Sequence, residues 1–309
     1  MKLDKPFGGK FIIFGGDFRQ ILPVIKRGGR CDIVNSTLKR SYLWLHIVPL
    51  RLVGEGYETF DGSRDKIKIP EDCCIASNDV EDIIAFVYNI DKDNTSFNRT
   101  SFDQNAILTP KNVDVDSINI KLINKIPGDL ITYISADKTI TEDEATFYPT
   151  EFLNSLSISG LPPHKLLLKV GVPIMLMRNL NSASGLNNVT KLIITSSLPN
   201  IIEAEFVSGS FLSTKVLIPR ISLIPTDSGL PFSFKRRQFP VRPAFVMTIN
   251  KAQGQTLNKV GIYLPHPVFS HGQLYVTMSR VCSPHKLKII TNDKTRTTTN
   301  VVYREVISD

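Results

Sequence analysis

Short apolar runs separated by glycine, proline and polar clusters set the pattern of this chain. Residues 11–14, FIIF, are apolar at every position and stop at Gly15-Gly16-Asp17, as a strand buried on both faces of a parallel sheet does. Residues 35–52 predict a helix capped at Asn35 or Ser36 and continuing into an apolar segment broken by Pro49. A polar, Gly-rich stretch at 54–72 reads as a linker or hairpin, and Ile83, Ile84, Val87 and Ile90 give 79–90 helical spacing. A polar loop is expected from Asn89 to Asp103. Residues 105–108, the turn Thr109-Pro110-Lys111-Asn112 and the helical periodicity of 113–123 then form a strand–turn–helix.

Between about 166 and 240 the pattern changes to short β-rich runs (LLLKV, VPIMLM, KLIIT, IEAEFV, KVLIPRISLI), which predict a small antiparallel barrel. Strand-like segments return at 244–250 and 259–264, around a KAQGQT segment able to open a helix. A barrel inserted into an α/β domain explains that order. The Thr-rich stretch at 295–299 is expected to cap or fray.

Composition adds little to this picture but narrows the function classes. The 309 residues suffice for two domains, and 42% hydrophobic with 21% charged residues is ordinary globular usage. A net charge of +8 and a pI near 9.2 favour polyanionic partners. Cys31, Cys73, Cys74 and Cys282 show no metal-ligand spacing, and the adjacent pair suits no structural disulfide, so a reducing, intracellular setting is expected. No apolar run reaches the ~18 residues that span a bilayer, and MKLDKPFGGKF places charge where a signal peptide needs an apolar stretch. The acceptor-like tripeptides at Asn35, Asn94, Asn98 and Asn188 then read as chance matches. His46, His164, His266, His271 and His285 form no ligand or triad spacing, so no metal site is expected.

Three segments carry chemistry. In GGDFRQILPV (15–24), Gly16, Asp17, Arg19 and Gln20 fall at the carboxyl end of the first strand, where α/β proteins bind ligands, although a simple polar turn accounts for them too. A glutamine amide hydrogen-bonds both a phosphate oxygen and an attacking water without adding charge. In RPAFVMTINKAQGQT (242–256), Thr248, Asn250, Lys251, Gln253 and Gln255 offer hydroxyl, amide and cation groups suited to sugar–phosphate contacts, and Gly254 permits close backbone approach. The plain reading there is a capped helix start. In FSHGQLYVTMSRV (269–281), His271 and Gln273 precede a helix-like stretch bearing Arg280 near its end, either a surface arginine or one aimed across a cleft.

Taken together, and with ILTPKNVDVDSIN (107–119) and YPTEFLNSLSISGLPPHKLLLKVGVPIMLMRNLN (148–181), these segments resemble one family over nearly the whole chain. It is the petite-integration-frequency helicases of superfamily one, especially plant and Helitron-like members. The resemblance implies an α/β P-loop NTPase (RecA-like) fold: a truncated first domain, then a second RecA-like domain with an inserted SH3-like β-barrel. The expected divisions are 1–52 for the first-domain remnant, 53–78 for the linker, 79–166 and 241–309 for the two parts of the second domain, and 167–240 for the barrel with its return strand. The barrel itself would run from about 167 to 228. It further implies an ATP-dependent 5′→3′ DNA helicase of repair, recombination and telomere upkeep, acting on single-stranded DNA with ATP and Mg²⁺, in nucleus or mitochondrion.

By position Gln20 matches the family's γ-phosphate sensor and Arg280 its arginine finger, both expected to be catalytic. Gly16, Asp17, Gln20, Gly254, Gln255 and Arg280 would meet nucleotide. Thr109, Lys111, Asn112, Thr248, Asn250, Lys251 and His271 would meet DNA. Departures from the pattern are equally specific. No GxxxxGKS/T cradle occurs; Gly8-Gly9-Lys10 is followed by Phe11, and Glu142-Asp143-Glu144-Ala145 imitates the acidic second motif without its apolar strand. The chain is therefore expected to begin after those motifs, and the arginine the family carries beyond the equivalent of Leu52 is missing. Asn188-Val189-Thr190-Lys191 stands where the family has Asn-Gly-Thr-Arg, so an altered turn is expected, since valine resists positive φ. The alternative from another class is a non-catalytic single-strand-binding remnant.

Overall fold

The computed structural model describes residues 17–41, 66–90, 101–225, 229–293 and 295–307. The expected strand at 11–14, Gly16, the Gly8-Gly9-Lys10 segment and the apolar segment after Ser41 lie outside them. The first helix, α1 (Arg30–Asn35), ends where the capping pattern predicted a start. Asp32 accepts the Gly29 N–H at 2.8 Å and so marks the true beginning, whereas the Ser36 hydroxyl turns back to the Ile33 carbonyl at 2.7 Å and closes the helix. Serine suits either end, and only the acid three residues into the helix distinguishes them.

After β1 (Lys66–Lys68), α2 (Val80–Tyr88) starts on the Asp79 carboxylate, which accepts the Glu81 N–H, and ends at Asn89 in left-handed conformation. A single turn, α3 (Ser101–Gln104), leads into β2 (Asn105–Thr109), buried at every position, and α4 (Asn112–Lys125) follows. The antiparallel region opens with β3 (Ile131–Ile134) and β4 (Ala136–Thr139), earlier than its apolar runs suggested, because these strands alternate and show only half their residues to the core. Two short helices, α5 (Glu142–Phe147) and α6 (Thr150–Ser155), are succeeded by β5 (Lys165–Leu168), β6 (Pro173–Leu176), β7 (Lys191–Ser197), β8 (Ile201–Phe206) and β9 (Lys215–Pro219). Then come β10 (Ile221–Leu223), β11 (Phe234–Gln238), β12 (Val241–Pro243), β13 (Val246–Thr248) and β14 (Lys259–Leu264). The chain closes with α7 (Gln273–Met278), β15 (Leu287–Thr291), β16 (Thr297–Thr299) and α8 (Arg304–Ile307).

The parallel sheet has the order β13-β2-β14-β15, with Thr248 beside Thr109 at the carboxyl ends of neighbouring strands. One face, through Ile107, Val246 and Ile290, shares a continuous core with α2, α4 and the antiparallel strands; the other, through Ala106, Leu108 and Ile262, packs on Leu274, Val276 and Ile67. The antiparallel strands divide into a five-stranded sheet, β12-β6-β7-β8-β9, a three-stranded sheet, β10-β11-β4, and the pair β3-β5. Arg236 on β11 and Asp137 on β4 form a buried two-point ion pair at 2.9 and 2.7 Å, with Ser135 donating to the same carboxylate at 2.7 Å.

Three further expectations change. The Thr-rich tail neither caps nor frays: it pairs with β1 as β16, and Thr297 and Thr298 are buried. The hydroxyls and amide of Thr295 and Thr297 converge on Asp293 and hold its carboxyl at about 2. KAQGQT opens no α-helix, because one 3₁₀ turn (Ile249–Ala252) is followed by Gly254 at φ +77°. Val189 does adopt φ +73°, so the turn keeps the shape that glycine favours and carries the strain instead. Residues 142–145 lie in α5.

Candidate functional site

The three chemistry-bearing segments, the first more than two hundred residues before the other two, meet beside α7. Residues 17–20 make a tight turn, the Gln20 N–H donating to the Asp17 carbonyl at 3.1 Å. Asp17 is fully engaged: one carboxylate oxygen accepts the Arg19 N–H at 3.0 Å, and the other accepts the Tyr275 hydroxyl at 2.9 Å. Gly272 lets this turn lie against the helix start. Its φ is +73°, and a β-carbon there would stand 2.3 Å from the Arg19 carbonyl oxygen. Across the same contact the Gln253 amide donates to the Gln20 side-chain oxygen at 3.2 Å.

Arg280 lies two residues past α7 and is 9% exposed. Its guanidinium donates to the Val276 carbonyl (2.8 Å), the Gln255 carbonyl (3.0 Å) and the Ser279 hydroxyl (2.8 Å). All three partners are neutral, and among the described residues no carboxylate pairs with it, so its charge remains available to an anion. Gln255 places its amide on the Lys251 carbonyl at 3.0 Å, and Gly254 between Gln253 and Gln255 holds the turn. Gln20, Gln253, Gln255 and Arg280 thus form one connected patch.

A second patch lies at the carboxyl ends of β2 and β13. The Thr109 hydroxyl is wholly buried and has no hydrogen-bond partner, an orphan beside the first turn of α4, where Lys111 and Asn112 are exposed. Backbone N–H groups at such a helix start attract anions. Lys251, one 3₁₀ turn beyond Thr248, is drawn below the ordinary lysine range by burial and by the Arg242 guanidinium, with the Asp116 carboxylate opposing. Asp116 itself is raised by burial, against Arg242 and Lys251. Arg242 donates to the Leu161 carbonyl at 3.2 Å while its Nε is buried without a partner. Asn250, exposed, accepts from the Gln273 amide at 3.1 Å and thereby ties this segment to α7.

His271 joins neither patch. It is buried, its Nε2 donates to the Phe18 carbonyl at 2.8 Å, and its Nδ1 accepts the Tyr303 N–H at 2.8 Å. Both ring nitrogens are used within the chain, which leaves none for a DNA phosphate, and burial pulls its pKa down. Sequence reasoning missed Tyr275, Arg242 and Asp116. Asp116 stands one helical turn from Asn112 on α4, so the i, i+4 spacing carried a signal there; Tyr275 and Arg242 had none. The described residues offer a phosphate end at Arg280 and Gln20, and among them no group of three or more acidic, His or Cys side chains forms. Nor is any described helix long and apolar enough to cross a membrane.

The family described as PIF1-like helicase matches residues 1–64, and that described as DNA helicase Pif1, 2B domain, matches residues 151–196. The ATP-dependent DNA helicase PIF1 of Danio rerio is 25% identical over 295 residues, and that of Homo sapiens 25% over 301, each taking in 94% of this chain and 42% of the relative. The chain thus spans under half the length of these relatives. Among solved structures, Pif1 helicase from Candida albicans aligns with TM-score 0.50 and 25% identity over 65% of this chain and 47% of that one. Bacteroides Pif1 bound to single-stranded DNA aligns with TM-score 0.55 and 21% identity over 98% of this chain and 67% of its own. The fold is the RecA-like P-loop NTPase fold of those helicases.

Proposed function

We propose that this chain is a PIF1-like helicase fragment, as the partial family matches support, and that it supplies the nucleotide-sensing and strand-gripping part of an ATP-dependent 5′→3′ DNA helicase of genome maintenance. One observation carries this reading: residues 248–255 reach both patches. Thr248 and Lys251 stand at the strand ends, while Gln253 and Gln255 contact Gln20 and Arg280. In this reading the short, hydrogen-bonded segment links the phosphate end to the strand end, and its coupling is tested by whether a nucleotide analogue changes oligonucleotide affinity.

In this mechanism ATP supplies the phosphoryl group whose hydrolysis drives the cycle. Arg280 offers its uncompensated guanidinium to the terminal phosphate, and Gln20, steadied by Gln253, orients an oxygen or water beside it. Gly254 and Gln255 carry the connection. At the other patch Thr109, Lys111, Asn112, Thr248, Asn250 and Lys251 hold the sugar–phosphate backbone of single-stranded DNA, with positions rather than bases recognised. Residues 131–243 form the inserted β-unit, which we assign as SH3-like by its short antiparallel strands. We place it in nucleus or mitochondrion, as the family resemblance implies.

Salt-dependent binding of a fluorescent oligothymidylate tests the reading. Lys251→Ala is expected to weaken binding and to flatten the logarithmic salt slope by about 0.7, the value for one phosphate contact on a single strand. Arg280→Ala should leave that binding intact and weaken binding of a fluorescent ATP analogue. An unchanged slope in Lys251→Ala would remove the strand assignment, and unchanged analogue binding in Arg280→Ala the nucleotide assignment.

A further inference from the structure

The three-stranded sheet β10-β11-β4 has one buried face and one open face, and their chemistry differs. Inward, Phe234, Arg236 and Gln238 of β11 are buried, with Asp137 of β4 and Leu223 of β10 beside them. Strand alternation turns the residues between them outward. Lys138 of β4 then stands directly opposite Lys235 of β11, and Arg237 lies two residues farther along β11, between Ala136 and Ser222.

Three cations thus share a face with no acid at its outward paired positions. Like charges set opposite each other destabilise a strand pair, so the arrangement contributes nothing to the fold. Nor does the layer beneath neutralise it, because Asp137 spends both carboxylate oxygens on the buried Arg236, at 2.9 and 2.7 Å. Glu144, at the end of the sheet, accepts the Ser233 N–H at 3.4 Å. Among the described residues no ion pair reaches Lys138, Lys235 or Arg237. The charge of Arg237 is felt by Arg220, whose guanidinium is drawn below its ordinary value by burial first and by this neighbour as well, against Tyr133.

Apolar side chains bracket these cations. Ile140 and Ile224 each stand one residue past their strand, continue its outward alternation, and are 49% and 51% exposed. A nucleic acid meets a flat basic face through its phosphates, which leave the isoleucines without a partner. An extended peptide answers both groups: its side chains repeat on one face every ~6.7 Å, the spacing from Lys235 to Arg237. We propose that the outer face of β10, β11 and β4 docks an extended, acidic protein segment whose carboxylates alternate with apolar residues. Its carboxylates lie over Lys138, Lys235 and Arg237, and its apolar residues against Ile140 and Ile224. This surface is independent of the nucleotide and strand patches.

Fluorescence anisotropy of a labelled peptide of alternating aspartate and isoleucine tests the docking, with an aspartate–glycine peptide of equal charge and a DNA duplex as comparisons. The isoleucine peptide is expected to bind at least about tenfold more tightly than the glycine peptide. Lys138→Glu and Arg237→Glu should each weaken it at least about tenfold, and Lys121→Glu, the same charge change on the exposed side of α4, far less. Because Lys138→Glu sets an opposite charge across from Lys235, its melting temperature should hold or rise, which separates lost docking from unfolding. Ile224→Ser should weaken the isoleucine peptide and leave the glycine peptide unchanged. Peptide affinity indifferent to both glutamates, or lowered equally by Lys121→Glu, overturns the proposal. A duplex that binds more tightly than the peptide and is released by the same two glutamates assigns the face to nucleic acid and overturns it too.

Discussion

Gly272→Ala tests whether the phosphate-sensing glutamine depends on the backbone beside it. The methyl group meets two obstacles. At φ +73° an L-residue costs roughly 1 kcal/mol, and the new β-carbon would lie 2.3 Å from the Arg19 oxygen and 2.7 Å from the Gln20 oxygen, about 1 Å inside ordinary contact. Backbone atoms cannot swing away as a flexible side chain would, so the turn at 17–20 must move off α7. Three contacts then stretch: His271 to the Phe18 carbonyl (2.8 Å), Tyr275 to Asp17 (2.9 Å) and Gln253 to Gln20 (3.2 Å). An added ångström takes each beyond hydrogen-bond range, and each contributes about 1 kcal/mol. The expected loss is on the order of 4 kcal/mol, or a melting temperature lower by ~8–16 °C at 2–4 °C per kcal/mol. Thermal unfolding followed by circular dichroism measures the first effect, and titration with a fluorescent ATP analogue should show weaker binding because Gln20 has left Gln253. A variant with unchanged melting temperature and unchanged analogue binding would refute the claim that Gly272 seats this segment.

Other positions give equally direct expectations. Asp137→Asn leaves the Arg236 guanidinium, 1% exposed, without its counter-charge and should cost roughly 3–5 kcal/mol in urea unfolding; the apolar pair Asp137→Leu with Arg236→Met should recover most of it, and a loss under about 1 kcal/mol for the single change would show the pair to be solvated. Val189→Gly relieves the φ of +73° and is expected to stabilise by roughly 1 kcal/mol, whereas a destabilised variant would contradict the strain assigned there. The folded-state pKa of His271 lies below the ordinary 6.5, through burial first and the Arg30 charge as well, despite Asp17, Glu305 and the Phe18 hydrogen bond. The unfolded chain therefore takes up the proton first, and stability should fall as pH drops below about 6.5, a dependence that His271→Gln should flatten.

Periodicity alone located α2, β2, α4 and β14, because each has an apolar repeat that only one geometry buries. Ile83, Ile84 and Val87 are at or near zero exposure, as their spacing required. Where the pattern misled, the same residue types serve two purposes. Ser36 could begin or end a helix, and the threonines at 297–299 look like a polar tail until Lys66–Lys68 pairs with them and shields the backbone. The short strands β3 and β4 were illegible because half of each faces solvent.

For the site, residue type left a bland reading open at each segment, and it was the family resemblance that singled out Asp17, Gln20, Thr248, Lys251, Gln255 and Arg280. Their partners were not visible, since hydrogen-bond geometry belongs to chain segments brought together from opposite ends. The tertiary structure alone decided that His271 is a brace between Phe18 and Tyr303, that Tyr275 holds Asp17, and that Arg280 rests on neutral carbonyls. A sequence determines which groups a chain possesses and which faces it must bury; which of those groups keeps an unpaired charge depends on what the fold sets beside it.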